Sequence, residues 1–301
     1  MAGIPTNRTT IALPAEVSAE IIQKTQQASA VMTLASQMSL SGSGAVIPVI
    51  TADPEANWVN ETDPKPVSNP GLATKQMQPY QLAVIVPFSN QFRRDANALY
   101  AAIVGRLPRA LAQKFDATVI GAVNAPGENF DTFAAAAAQS LVPGTGETVY
   151  GNLVAAYADI AANGGIMDGI AISPVGTSLL LGATGSDNRP IFNSAADAAI
   201  NRILGARTIE SRGMYKAGAA GQGTAAGTPA IVGVAGDWTQ AVWGTVGDVD
   251  ISISDQSTLT IGTQQINLWE RNMFAVRAEI EVGFRADVNC FNLLLGATPS
   301  A

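Results

Sequence analysis

Two apolar runs, 44–51 and 80–88, flank a polar stretch rich in proline. The first predicts a strand over 46–50, with Pro48 favouring a sheet edge because it donates nothing to a ladder. The second predicts the strand that returns from the excursion. Between them runs Asp53-Pro-Glu-Ala-Asn-Trp-Val-Asn-Glu-Thr-Asp-Pro-Lys-Pro66, and the four prolines from Pro54 to Pro70 forbid a helix. So long a coreless excursion is uncommon inside a compact domain. It makes sense if something outside the chain covers it. Trp58 is the large apolar group of this stretch. It packs either on its own hairpin or on a neighbouring subunit. An isolated hairpin has little core in which to bury it, which favours the neighbour.

A long helix follows. Residues 90–95 read as a helical turn with Asp95 as N-cap. Leu99, Ile103, Leu107, Leu111, Phe115 and Val119 then form an i+4 row. Because the helical repeat is 3.6, that row winds slowly round the helix, as on a spine contacted from several sides. Gly105 and Pro108 predict a kink over 104–108. Upstream, 1–13 read as a loose arm. A helix starts at Pro14, with Val17, Ile21, Ile22 and Ala28 as its stripe. Residues 31–40 suggest a short strand, and Ser41-Gly-Ser-Gly44 a turn.

Downstream, 130–142 is ambiguous, since the alanines at 134–138 suit helix or coil. Residues 148–162 predict a helix with Val149, Leu153, Tyr157 and Ile160 on one face and a stop at Asn163-Gly-Gly165. A strand at 170–172 and a helix at 174–181 complete an α/β layer. Residues 182–190 and 213–229 have loop composition. Gly221-Gln-Gly223 lacks the lysine of a phosphate loop. Three strands come in quick succession at 230–234, 241–246 and 250–254. The strongest strand pattern is at 274–284. There Phe274, Val276, Ala278, Ile280, Val282 and Phe284 alternate with residues that include Arg277, Glu279 and Glu281, and Arg285 follows. One face of that strand is expected against the spine helix.

Composition narrows the function. Of 301 residues, 47% are hydrophobic and only 14% charged, so much of the surface is expected to be covered in an assembly. No run reaches the about 18 apolar residues of a membrane span, and the first residues lack the apolar core of a signal peptide. No histidine is present, which removes His-dependent triads, zinc–histidine sites and imidazole shuttles. The lone Cys290 cannot form an intrachain disulfide and reads as a small buried hydrophobe. A net charge of −7 argues against a protein that binds phosphate over its whole surface. The tempting acids are Asp53/Glu55, explained by a turn, and Glu279/Glu281, explained by cross-strand ion pairing with Arg277 and Arg285. Arg93 and Arg94 contact a neighbour or simply solvate. A histidine-free glycosidase finds no outstanding acid pair, and a secreted or surface binding module lacks a leader.

Several ordered motifs carry a resemblance. They are Leu13-Pro-Ala-Glu-Val-Ser-Ala-Glu-Ile-Ile22, Ala30-Val31, Ile47-Pro-Val-Ile50, Asn57-Trp-Val-Asn-Glu61, Pro79-Tyr-Gln-Leu-Ala83, Pro87-Phe-Ser-Asn90 with Asp95, Gly236-Asp-Trp-Thr-Gln-Ala241, Ile251-Ser-Ile-Ser-Asp255 and Asn272-Met-Phe-Ala-Val-Arg-Ala-Glu279. As a set, these resemble the HK97-type major capsid proteins of tailed double-stranded DNA bacteriophages. The resemblance implies an α+β fold with an N-terminal arm (1–40) and an extended E-loop hairpin (41–90). It further implies a peripheral domain with the spine helix and a long β-sheet (91–147 and 247–285), and an α/β axial domain (148–246 and 286–301). It implies self-assembly into hexamers and pentamers of an icosahedral shell that encloses DNA without reading its sequence. The remaining implied partners are a portal at one vertex, a decoration protein, and a scaffold expected as a separate protein because only about a dozen residues precede Leu13-Pro14. The shell would assemble in the cytoplasm of a bacterial host. No enzyme activity, cofactor, metal or membrane is expected.

The interface residues expected on this reading are Trp58, Glu61, Lys65, Arg93, Arg94, Arg277 and Glu279. Some members of the family join subunits by a Lys–Asn isopeptide bond. Here Lys65, Lys75, Asn289 and Asn292 read as ordinary surface and packing residues. The alternative within the fold is an encapsulin-like nanocompartment shell.

Overall fold

The computed structural model describes residues 25–26, 28–52, 58–59, 65, 71–90, 96–144, 148–185, 189–192, 202–221, 227–247, 249–261 and 264–299. The helix expected from Pro14, most of the turn at 90–95 and its Asp95 cap, Glu61, Arg93 and Arg94 lie outside the described residues.

The stretch expected as one short strand at 31–40 divides in two. Helix α1 (Ala30–Leu34) starts at Ser29, whose hydroxyl accepts from the Met32 N–H at 3.0 Å, and it buries Ala30, Val31 and Met32. Strand β1 (Ser36–Ser39) follows it. Strands β2 (Ala45–Ala52) and β3 (Gly71–Met77) then pair antiparallel as a two-stranded sheet of their own, from Ala45 opposite Met77 to Ala52 opposite Gly71. The apolar run at 80–88 is therefore not the return strand of the hairpin. It forms β4 (Tyr80–Ser89), which belongs to the body. The return strand, Gly-Leu-Ala-Thr-Lys-Gln-Met, has no apolar run to announce it.

Helix α2 (Ala96–Val119) is the spine and continues unbroken through Gly105 and Pro108. Strand β5 (Ala137–Ser140) resolves the alanine run. Its first part is a 3-10 turn, Phe133–Ala135, and its second an edge strand. Helix α3 (Val149–Ala162) is capped by Thr148, which accepts from the Gly151 N–H. Its inner face is Val149, Leu153, Ala156 and Ile160. Tyr157, expected on that face, points to solvent, because the 3.6 repeat favours position 156 there. Strand β6 (Gly169–Ile172) and helix α4 (Pro174–Leu181), capped by Ser173, match expectation.

The rest of the chain is mostly strand: β7 (Arg202–Ile203), β8 (Ala206–Glu210), β9 (Ile231–Gly236), β10 (Ala241–Thr245), β11 (Asp250–Ser254), β12 (Thr258–Ile261), β13 (Gln264–Asn267), β14 (Met273–Ala286) and β15 (Phe291–Leu295). The β12–β13 hairpin was not apparent from hydrophobic pattern, since its strands carry polar residues on both sides.

Strand β14 is the axis of a five-stranded sheet. Strand β4 lies along one edge over ten residue pairs, while β10 and β11 share the other edge end to end. Strand β1 joins β10 in parallel. The strands at 241–245 and 250–254 are thus neighbours of β14 and not of each other. A six-stranded sheet runs β5-β15-β9-β6-β8-β7, with α3 and α4 packed on it. Residues 137–140 lie in the sheet of β15, and residues 241–245 lie in the sheet of β14.

The chain crosses between the sheets at two similar turns. After β9, Asp237 caps a 3-10 turn over Trp238–Gln240; after β14, Asp287 caps another over Val288–Cys290. The turns bond each other reciprocally: the Asp237 N–H donates to the Cys290 carbonyl at 3.1 Å, and the Asp287 N–H to that of Gln240 at 3.2 Å. Around them Phe115, Phe130, Phe133, Trp238, Phe284 and Phe291 form one aromatic core, largely edge to face. The spine row passes between cores as its winding requires. Leu107 and Leu111 pack with Phe274, Val276, Ala278 and Ile280, whereas Phe115 and Val119 join the aromatic core.

Candidate subunit interface

The β2–β3 hairpin is held firmly at its root. Gly44 has φ +86°, and a Cβ there would run into the Met77 carbonyl oxygen, so the turn into β2 requires glycine. Met77 is fully buried. Lys75 Nζ donates to the Ala286 carbonyl at 3.0 Å, and Arg285 Nε donates to that of Gln76 at 2.8 Å. Asp131 completes the root. Its carboxylate accepts from Arg285 Nη1 at 2.7 Å and from the Ala286 N–H at 3.1 Å, with Lys75 Nζ 3.9 Å away. Arg285 therefore pairs with a loop carboxylate and not across strands with Glu279 or Glu281.

Beyond the root, large side chains among the described residues lie open. Val46 is 65% exposed, and Trp58 and Lys65 stand in solvent, with Trp58 touching no described residue. Arg277 and Glu279 are elsewhere, on the outer face of β14. Arg277 Nε lies 3.0 Å from Glu279 Oε1, a pair along one strand and not the cross-strand pair expected, and 3.1 Å from Ser252 Oγ. The described candidates thus fall into two separate groups, one on the hairpin and one on β14.

Other exposed apolar groups escaped sequence reasoning. Tyr150, Val154 and Tyr157 line the outer face of α3, and Ile166 beyond it is 71% exposed. Trp269, on the turn between β13 and β14, is 75% exposed. The signal for α3 was present: apolar residues at i, i+4 and i+7 opposite the buried face make a helix apolar on two sides.

The titratable groups are structural. Asp116 on α2 is fully buried and accepts from Ser29 Oγ at 2.5 Å, Ser211 Oγ at 2.6 Å and the Ala30 N–H at 3.1 Å. Burial pushes its carboxyl up to about 6, with these hydrogen bonds opposing the rise. It ties the N-terminal segment and the loop after β8 to the spine, and nothing in the sequence singled it out. Burial also raises Asp168, with the Asp237 charge adding to it. Cys290 is raised by burial and by Asp287 and Asp237, and its thiol sits as a small group in the aromatic core. Asn292 is buried and donates to Asp159 at 2.9 Å, and Asn289 donates to Asp287 at 3.1 Å. Among the described residues no cluster of acids and cysteine could hold a metal, and no helix is long and apolar enough to cross a membrane. The surface offers contacts for another chain.

Known proteins fit this geometry. The chain is 28% identical over 294 residues to the "Probable major capsid protein gp17" of Mycobacterium phage L5, covering 91% of this chain and 86% of that protein. It is 26% identical over 296 residues to the protein of the same name from Mycobacterium phage D29, with the same coverage. A solved chain of Gordonia phage Cozz superposes with a TM-score of 0.68 at 23% identity, over 90% of this chain and 87% of that one, a likeness of fold. The fold is the HK97-like α+β capsid fold, and these relatives do not favour the nanocompartment alternative. Residues 9–287 match the Phage capsid family, so the chain belongs to the phage capsid family, whose members are structural proteins of the shell.

Proposed function

We propose that this chain is the major capsid protein of a tailed bacteriophage and closes, as hexamers and pentamers, into an icosahedral shell around double-stranded DNA. The observation that carries this reading is family membership across residues 9–287. The hairpin supports it physically. It is rooted by Lys75, Asp131 and Arg285, yet among its described residues Val46 and Trp58 stand exposed. A two-stranded sheet is marginal alone in water. Laid over a neighbouring subunit, it gains a second apolar surface and the stability that comes with it.

On this reading the β2–β3 hairpin is the core of the E-loop, residues 1–40 are the arm, and α2 with the β14 sheet is the peripheral domain. The six-stranded sheet with α3 and α4 is the axial domain. Trp58, Glu61, Lys65, Arg93 and Arg94 serve one contact, and Arg277 and Glu279 another. A scaffolding protein, a portal at one vertex and a decoration protein are the further partners, and assembly takes place in the cytoplasm of the bacterial host. Their support is the resemblance in ordered motifs. No catalytic role is assigned to any residue.

Electron microscopy of the purified protein, coupled to sedimentation, tests the reading. Closed particles or capsomer rings are expected. A monodisperse monomer under all salt and crowding conditions would overturn it.

A further inference from the structure

The spine helix α2 buries Leu107, Leu111, Phe115 and Val119 and turns Arg106, Arg109, Ala110, Gln113 and Lys114 outward. At 100° per residue those five positions share an arc of about 140°. The helix has one carboxylate, Asp116, which is buried and engaged by Ser29 and Ser211. Its outer face therefore carries three cations and no anion. The loop after β8 extends the patch. A Cβ on Gly213 would stand 2.7 Å from the Gln113 carbonyl oxygen, so only glycine lets the loop lie this close to the helix. That approach sets exposed Arg212 beside the basic face. Lys216 Nζ donates to the Gly121 carbonyl at 2.9 Å, where the helix dipole favours a cation. Arg106, Arg109, Lys114 and Arg212 form no ion pair with any described residue.

This patch runs against the balance of the chain. Residues 96–119 and 202–221 hold seven cations and two carboxylates, within a chain of net charge −7. The face is also poor in apolar groups. Its uncharged helix positions are Ala110 and Gln113, and the one large exposed ring within the patch is Tyr215, 39% exposed on the loop, while Tyr150, Val154, Tyr157 and Trp269 lie on other elements. A protein partner would need an apolar centre with a polar rim. A phosphate backbone needs cations and nothing apolar.

We infer that the outer face of the spine helix, with Arg212 and Lys216, contacts the phosphate backbone of the enclosed duplex DNA. This rests on the proposed shell function and deepens it by assigning the side of the subunit that faces the DNA. From Arg106 to Lys114 the helix rises about 12 Å. A duplex carries about one charge per 1.7 Å, so several phosphates come within reach, with no side chain that need meet a base edge.

The test is fluorescence anisotropy of the full chain, as unassembled capsomers, with a short random-sequence duplex across a salt series. Binding should weaken linearly on logarithmic axes. A combined Arg106→Gln, Arg109→Gln, Lys114→Gln variant should lower the slope by about 3, one for each phosphate no longer neutralised. Arg106→Lys with Arg109→Lys should keep it. Arg212→Gln, on a loop and harmless to the helix, should lower it by about 1, so the inference stays exposed even if the triple variant misfolds. Wild-type capsomers that close into shells but bind no duplex at low salt would overturn the inference and leave the shell reading intact. A folded triple variant that binds duplex with the wild-type slope would also overturn it. So would one that no longer closes shells, because the face would then be a contact between copies. Failure of the wild type to form shells would strike the proposed function instead.

Discussion

The β2–β3 hairpin and the β14 sheet differ in where their apolar side chains go. Strand β14 buries Phe274, Val276, Ala278, Ile280, Val282 and Phe284 inside its own chain. The hairpin leaves Val46 and Trp58 in solvent and is fixed at one end, by polar bonds and by the buried Met77. The body carries an apolar core of its own, and on the proposed reading the hairpin gains its stability only when a neighbouring subunit covers it. Mutations on the two sides should separate folding from assembly.

The largest effect on the isolated subunit should come from Phe284→Ala. That ring meets Phe115, Phe130 and Phe133, and its loss should cost about 3–5 kcal/mol in urea unfolding. A loss below about 1 kcal/mol would mean that the aromatic core is not what holds the body together.

Next comes pH. Asp116 has a folded value of about 6 against an ordinary 3.8, so the folded chain binds more protons between these values than the unfolded one. Its contribution is fully present below about pH 4 and is lost as pH rises through 6. The unfolding free energy, measured relative to Asp116→Asn, should fall by about 2–3 kcal/mol from about pH 4 to about pH 7. A flat difference would show that the carboxylate titrates normally.

Asp131→Asn should cost about 1–2 kcal/mol by weakening charged hydrogen bonds at the hairpin root. Amide exchange at 75–77 should quicken more than at 274–280. Equal acceleration would place the damage in the body instead.

The smallest effect on the subunit, and the largest on assembly, should be Trp58→Ala. Unfolding should change by less than about 0.5 kcal/mol, while the yield of closed shells drops. Removing 53–75, which also takes Lys75 from the root, should leave a soluble subunit that no longer closes shells. Normal shells from that deletion would refute the role given to the hairpin.

How far these regions could be read from sequence follows the same division. Strand β14 was legible because burial on one face imposes period-2 alternation. The spine was legible because Leu107, Leu111, Phe115 and Val119 are all buried, each at a different place along the body. The return strand at 71–77 was not, because a strand with no core beneath it has no reason to alternate. For the same reason 80–88, which does have a core, was mistaken for its partner. The assignment of β10 and β11 to one edge of β14 was hidden because pairing is non-local, and strands adjacent in sequence suggest each other first. Among the interface candidates, exposure of Trp58 followed from its surroundings. Trp269 and the outer face of α3 did not stand out, since a helix apolar on two sides reads the same whether its second face meets a core or another molecule.

The paired Asp237 and Asp287 turns have a mechanical consequence. Among the links between the two sheets are two paired pins, each pin's backbone bonded to the other, with the shared aromatic core packed around both. A single pin lets two plates swivel in every direction. Two pins side by side permit flexing about the line through both and resist torsion about any other. The aromatic core packed around the pins, with side chains from both sheets, opposes that remaining motion as well, so the two sheets are held as one plate.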